Sequence, residues 1–284
     1  MNAVELEAVV HRYGKVQALD GLSLTVRQGE MFGFLGRNGA GKTTTLKLLM
    51  GLLRPDRGAI TVLGRSVKRM PASLKQRIGY VCQEPNFYPW MTADQLGAFV
   101  GSFYPTWDRA EFGRLLGLLD VPRDRRASEM SGGTRTKLGL ALALAPRPEL
   151  LLLDEPTAGL DPVARREFND RLQALQREQG TTVMFSSHLV GEVEQLAQRV
   201  GIVQGGACRF EGEVDALRAR VRRIGADAAF LPGEGFTRLR GDIWQAEPAL
   251  WEQAAAAFPA DVAVATLSLE DIFLAFARTD SVVA

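Results

Sequence analysis

Eight residues, Gly36-Arg37-Asn38-Gly39-Ala40-Gly41-Lys42-Thr43, place three glycines, a lysine and a hydroxyl at the spacing of a phosphate-binding loop. "MFGFL" before them reads as a buried strand, and "TTTLKLLMGLL" after them as a helix apolar on one face. In that setting the glycines let backbone N–H groups converge on phosphate oxygens, and the helix N-terminus adds positive potential. Lys42 is expected to reach the β- and γ-phosphates of a nucleotide, with Thr44 beside it and the Thr43 hydroxyl ligating Mg²⁺.

Two acids close the run "LLLLDEP". Asp154 is placed to hold Mg²⁺ through its water shell, and Glu155, one residue further out, to polarise an attacking water. An isolated Asp-Glu at a strand end is commonly a solvated pair; a phosphate loop upstream makes a hydrolytic pair the better reading. A third stretch, "SEMSGGTRTKLGLALALA", runs a small flexible turn straight into a helix with no strand before it. Ser131 and the backbone of Gly132 and Gly133 there offer donors at a helix N-terminus without a local ligand.

The elements that must position these residues alternate along the chain. Residues 4–10 and 22–35 read as strands with a turn at Gly29, and strand signals return near 59–63 and 78–81. From Thr92 to Ala145 they disappear, and "ADQLGAFVGSF", "RAEFGRLLGLLD" and "TKLGLALALA" read as helices. Alternation resumes with "ELLLLDE", a helix with Ala164, Phe168, Leu172 and Leu175 on one face, "TTVMFSS", a helix from Leu189, "RVGIVQ" and "ACRFEG". Buried strands alternating with helices predict an α/β fold with a mainly parallel sheet between helices. An antiparallel β part precedes it, a helical subdomain at about 89–146 interrupts it, and residues 213–284, Ala-rich with the loop "LPGEG", read as a small α/β appendage.

The 284 residues suffice for a good core, and a net charge of +1 gives no electrostatic pull toward nucleic acid or an anionic membrane. Two distant cysteines, Cys82 and Cys208, suit a reducing compartment and make no metal site. The N-terminus reads as no signal peptide, and no apolar run approaches membrane-spanning length, so a cytoplasmic location is expected.

A phosphate loop, a helical insertion, Ser-Gly-Gly and "LLLLDEP", in that order across residues 1–212, resemble the nucleotide-binding subunit of ATP-binding-cassette (ABC) transporters. The resemblance implies ATP as substrate, Mg²⁺ as cofactor, and two subunits, identical or not, sandwiching two nucleotides head to tail. The Ser131-Gly132-Gly133 turn of one would close on the γ-phosphate held by the other. By position it also implies that Gln83, in "GYVCQEP", senses Mg²⁺ and the attacking water, and that His188 contacts the γ-phosphate. Asp161, in "AGLDP", would lie in the loop crossing between subunits; it also reads as a helix N-cap before a proline. Tyr13, in "HRYG", would stack on adenine, or else pack on the sheet as a turn tyrosine; His11 reads as a strand-surface residue.

Phe87, Tyr88 and Trp90 either dock a short cytoplasmic helix of a separate membrane subunit or form the core of the helical subdomain. "FYPTWD" and "LSLEDIFLAFAR" are similar to bacterial exporter-type members, which implies a peripheral place on the inner face of the membrane. One departure stands out: Met130-Ser131-Gly132-Gly133-Thr134 occupies the place of Leu-Ser-Gly-Gly-Gln. Methionine preserves an apolar anchor, whereas threonine loses an amide able to act across the subunit interface. The rival within the superfamily is a soluble ATPase of ribosome or DNA. The single motif set and the lack of a heptad run between Lys42 and Ser131 count against it. Glu155 and His188 both being present counts against a non-hydrolysing nucleotide switch.

Overall fold

The chain opens with a hairpin of two antiparallel strands, β1 (Asn2–Tyr13) and β2 (Val16–Arg27), that turns at Gly14 in the left-handed region. Both strands run longer than their apolar alternation predicted, because register shifts between Leu6 and Arg12 interrupt the pattern without ending the pairing. His11 lies within this hairpin and is buried, its Nδ1 3.0 Å from the carbonyl of Arg54, which corrects the expectation of a strand-surface residue. The computed structural model describes residues 1–225, 232–259 and 262–277; Leu231 of "LPGEG" and Arg278 of "LSLEDIFLAFAR" lie outside them.

Next come β3 (Met31–Leu35), buried along its whole length, and α1 (Lys42–Leu49). β4 (Arg57–Val62) and β5 (Arg65–Ser66) complete an antiparallel sheet in the order β2-β1-β4-β5. A short helix, α2 (Ala72–Lys75), leads to β6 (Ile78–Val81). The chain then forms α3 (Ala93–Gly101), α4 (Arg109–Leu118) and α5 (Gly132–Leu144) before the next strand. Local chemistry starts each of these helices: a capping box of Thr92 with Gln95, the Asp108 side chain on two amides, and Ser131 on the amide of Thr134.

β7 (Leu150–Asp154), α6 (Pro162–Gln179), β8 (Thr182–Ser187), α7 (Val190–Leu196), β9 (Arg199–Gln204) and β10 (Ala207–Glu213) continue the alternation. With β3 and β6 the strands form one sheet ordered β10-β9-β3-β8-β7-β6, parallel except for β10 at its edge. A strand covered on both faces must be apolar on both, which is why β7 is a leucine run. Leu150 and Leu152 face a core shared with α1 and the antiparallel sheet. Leu151 and Leu153 face the opposite core with Phe168, Leu172 and Val193 of α6 and α7.

The remaining chain forms α8 (Val214–Arg220), β11 (Val221–Gly225), β12 (Thr237–Arg240), β13 (Ile243–Gln245), α9 (Pro248–Ala257), β14 (Ala263–Thr266) and α10 (Leu269–Ala277). Its four strands make an antiparallel sheet ordered β12-β13-β11-β14. Ile224, Trp244, Ala246 and Trp251 form a small cluster of their own. Leu217, Val221, Leu269, Ile272 and Phe273 instead belong to the larger core, with α10 resting on α7 and β9.

Candidate functional site

Strand order decides which loops meet. Because β8 lies between β3 and β7, and all three run parallel, their C-terminal ends emerge side by side. Those ends carry the glycine loop, Asp154 with Glu155, and His188, and the crevice at such strand ends is where open α/β sheets take ligands. A hydrogen bond from Gly36 N–H to the Ser187 carbonyl, 3.1 Å, fastens the first loop to the third.

Backbone geometry requires glycine at two of these positions. A Cβ on Gly36 would stand 2.7 Å from Val203 Cγ1 and 2.8 Å from its carbonyl oxygen. Gly41 sits at φ +104° as the N-cap of α1, where a Cβ would meet the Ala18 carbonyl at 2.8 Å. No side chain caps α1, so its first N–H groups remain for a ligand. A pocket of about 380 Å³ opens there, lined by Asn38, Gly39, Gly41, Lys42, Thr43, Thr44, Gln83 and Glu155, with Val16, Gln17 and Ala18 of the hairpin as its wall. Arg37 is exposed at the loop, and Ala40 is buried beneath it.

Lys42 is buried, and its Nζ donates to the carbonyls of Gly36 (2.7 Å) and Arg37 (3.2 Å). It also meets Glu155 Oε1 at 3.0 Å, while Glu155 Oε2 lies 3.0 Å from His188 Nδ1. Glu155 thus stands between an ammonium and an imidazole, in the left-handed region at φ +46°, a conformation that costs a non-glycine residue about 1 kcal/mol or more. Its N–H donates to Ser186 Oγ at 2.9 Å, and that hydroxyl donates to Asp154 Oδ1 at 2.8 Å. The Thr43 hydroxyl donates to the same oxygen at 3.1 Å. Asp154 is almost fully buried, so these hydroxyls offset the cost of taking its carboxyl out of water. Burial first, and the nearby Asp154 charge second, push the Tyr80 phenol up; burial and the same charge raise the Cys82 thiol, which stays neutral.

Among the described residues no three His, Cys, Asp or Glu side chains form a metal-holding group. Mg²⁺ would not need one, since it keeps several waters and takes only one or two carboxylates with substrate phosphates. Thr43 Oγ1 and Asp154 Oδ1 are the hard oxygens present, with Gln83 exposed on the same pocket wall.

Other expected residues lie apart from this pocket. Tyr13 is about half exposed at the end of β1, edge-on to His11 at 4.9 Å; it pairs with Val16 of the pocket wall without lining the pocket. Ser131, Gly132, Gly133 and Asp161 do not line it either. A Cβ on Gly133 would stand 2.6 Å from Leu160 Cδ2, so the Ser-Gly-Gly turn abuts the loop leading to Asp161. Asp161 caps α6 by accepting from Val163 and Ala164 N–H at 2.9 Å, with Pro162 in the first turn. Ser131 Oγ accepts from Thr134 N–H at 3.1 Å and meets the Thr134 hydroxyl at 2.8 Å. Met130 is buried in the larger core, as an apolar anchor there requires.

Phe87 packs on the core, whereas Tyr88 and Trp90 are exposed and stack at 5.2 Å. Phe99 and Phe103 extend that ridge, at 5.6 and 5.4 Å between successive rings. Trp107 is partly buried and Phe273 buried. Sequence reading missed Thr157, Ser186, Ser187 and Glu192, all buried polar residues around the site. Two serines ending an otherwise apolar strand were the signal available.

A family model described as "ABC transporter" matches residues 19–158. The bacitracin transport ATP-binding protein BcrA of Bacillus licheniformis is 36% identical over 213 residues, 74% of this chain and 70% of that protein. A Nod factor export ATP-binding protein I of Paraburkholderia xenovorans is 37% identical over 246 residues, 85% of this chain and 80% of the relative. The linearmycin resistance ATP-binding protein LnrL of Bacillus subtilis is 38% identical over 233 residues, 79% and 72%. A solved ATP-binding subunit of an ABC transporter superposes with a TM-score of 0.68 at 27% identity, covering 76% of this chain and 92% of its own. A dimeric ATP-binding cassette holding ADP and Pi shares the fold, with a TM-score of 0.67 at 23% identity, covering 74% and 98%. Phosphate loop, acidic strand end and these likenesses agree: the chain belongs to the ABC transporter family, as an ATP-binding, ATP-hydrolysing subunit.

Proposed function

We propose that this subunit hydrolyses ATP between two copies of itself, or between itself and a similar subunit, and that closure and reopening of the pair drive export through separate membrane subunits. One observation carries the reading: Lys42, Thr43, Asp154, Glu155 and His188 share one bonded network at the ends of three adjacent parallel strands. The phosphates of ATP, entering at residues 36–44, compete with Glu155 for the Lys42 ammonium. Winning it frees the Glu155 carboxylate to take a proton from the attacking water, so nucleotide binding itself prepares the base. With His188 Nδ1 turned to Glu155, Nε2 is the nitrogen left for the γ-phosphate.

Thr43 and Asp154, with Gln83, would hold Mg²⁺, which when bound neutralises charge on the β- and γ-phosphates. The Ser131-Gly132-Gly133 turn and Asp161 lie outside their own pocket, as suits residues that complete the site of a partner. Tyr13 stands near enough to the pocket wall to lie against the base of the nucleotide. The exposed Tyr88-Trp90-Phe99-Phe103 ridge is the surface offered to the membrane subunit, an apolar contact that a chain of net charge +1 requires. Joined to a membrane subunit through that ridge, the subunit would sit peripherally on the inner face; among the described residues no helix is long and apolar enough to cross a membrane. A relative named for Nod factor export supports export.

Mixing two inactive variants tests the shared site. Lys42→Ala spoils the phosphate loop and Ser131→Arg the partner's turn, so each homodimer is dead. A mixed dimer rebuilds one intact site, and random pairing should restore about a quarter of normal turnover. No recovery on mixing would refute the head-to-tail arrangement.

A further inference from the structure

Glu192 lies in α7 with its carboxyl group buried, yet none of the chemistry above uses it. It gathers partners from three separate segments. The Thr157 hydroxyl donates to Oε1, and the Ser187 hydroxyl donates to Oε2 at 2.5 Å. Arg165 Nε lies 3.4 Å from Oε1, within ion-pair range though not in hydrogen-bond geometry. A buried carboxyl is costly without such partners, and its removal would strand two buried hydroxyls.

What those partners touch gives the arrangement its meaning. Thr157 follows Glu155 by two residues, and its carbonyl accepts from Leu160 N–H at 3.1 Å. Arg165, in the first turns of α6, reaches the Leu160 carbonyl at 3.3 Å, immediately before Asp161. Ser187 Oγ accepts from Leu189 N–H at 2.9 Å, so its hydroxyl brackets His188, while its carbonyl holds Gly36. We propose that Glu192 is a positioning residue that couples the loop carrying Asp161 to the loop carrying His188. The inference rests on the shared site proposed above. Docking of a partner against the Asp161 loop shifts Thr157 and Arg165, and Glu192 passes the shift to Ser187 and so to the imidazole. A cleft of about 710 Å³ borders this network between α6, α7 and α10 and leaves the loops space in which to move.

The test is a double-mutant cycle read in steady-state turnover of the full chain. Glu192→Gln keeps the volume and removes the charge; Thr157→Val removes the hydroxyl at constant shape, and Thr157→Ser retains it. Glu192→Gln and Thr157→Val should each lower kcat roughly tenfold or more, with KM changed less than about twofold, and Thr157→Ser should recover most of the rate. In a His188→Ala background the same substitutions should cost less than about twofold, because the group they position is gone. Equal losses in both backgrounds, or a kcat loss that follows the drop in Tm and in nucleotide affinity, would reduce Glu192 to a structural residue. If His188→Ala slows turnover and Glu192→Gln does not, the coupling alone is wrong. If His188→Ala changes nothing, the role assigned to His188 falls and takes the coupling with it.

Discussion

Glu155 concentrates the chemistry in one side chain. Its left-handed backbone, its contact with Lys42 and its contact with His188 are held together only by the surrounding network. Glu155→Gln should lower turnover by about 10² to 10⁴-fold, the usual worth of a general base. Nucleotide binding should hold or tighten, since an amide competes less with phosphate for the Lys42 ammonium; a fluorescent ATP analogue reads this directly. Weaker binding would mean that Glu155 shapes the pocket itself. Thr134 is a second instructive residue. At the third position of α5 a glutamine could reach back to the Ser131 N–H and close a capping box, whereas the threonine hydroxyl meets Ser131 Oγ instead. Thr134→Val, compared with the parent protein in a Glu155→Gln background, should weaken ATP-dependent dimerisation a few-fold, as expected for one exposed hydroxyl contact of about 0.5 to 1 kcal/mol. Equal dimer affinities would show that Ser131 needs no help from its neighbour.

Elements matter through where they end. β3, β7 and β8 deliver the site because they are adjacent and parallel, and the Gly36 turn works only while it can lie against Val203 of β9. Gly36→Ala should therefore cost about 1 to 3 kcal/mol and most nucleotide affinity, measured by thermal melting with and without ATP. Preserved binding would mean that Val203 yields at little cost. In the helical insertion, α3 carries Phe99 and leads to Phe103, which join Tyr88 and Trp90 in a solvent-facing ridge. Replacing Trp90 and Phe103 by alanine should reduce recovery of a polytopic membrane protein with the tagged subunit in mild detergent and leave basal ATP turnover unchanged. Undiminished recovery would move the docking surface elsewhere.

Across the whole molecule, the C-terminal segment is joined to the nucleotide-binding body by shared core. Leu269, Ile272 and Phe273 of α10 are buried in the same cluster as Phe185 and Val193. Phe273→Ala should cost about 3 kcal/mol of stability, read from the denaturant midpoint. A loss below about 1 kcal/mol would show that α10 rests on α7 without supporting it. Because α10 also walls the cleft beside His188 and Glu192, its packing bears on the site as well as on stability.

Much of this was legible in the residues alone. Phosphate loops, acidic strand ends and helix caps are local: glycine spacing, a leucine run and an Asp before a proline act through their immediate neighbours. Those signals placed Lys42, Thr43, Asp154, Glu155 and Asp161 and gave the strand–helix alternation that makes the sheet mainly parallel. Strand order did not follow from them, since lateral neighbours in a parallel sheet come from distant parts of the chain. Only the fold set β8 between β3 and β7, paired Lys42 with Glu155, buried His11, divided Phe87 from Tyr88 and Trp90, and brought Thr157, Arg165 and Ser187 to one carboxyl group. Such contacts depend on how burial brings remote residues together, and no local pattern records that.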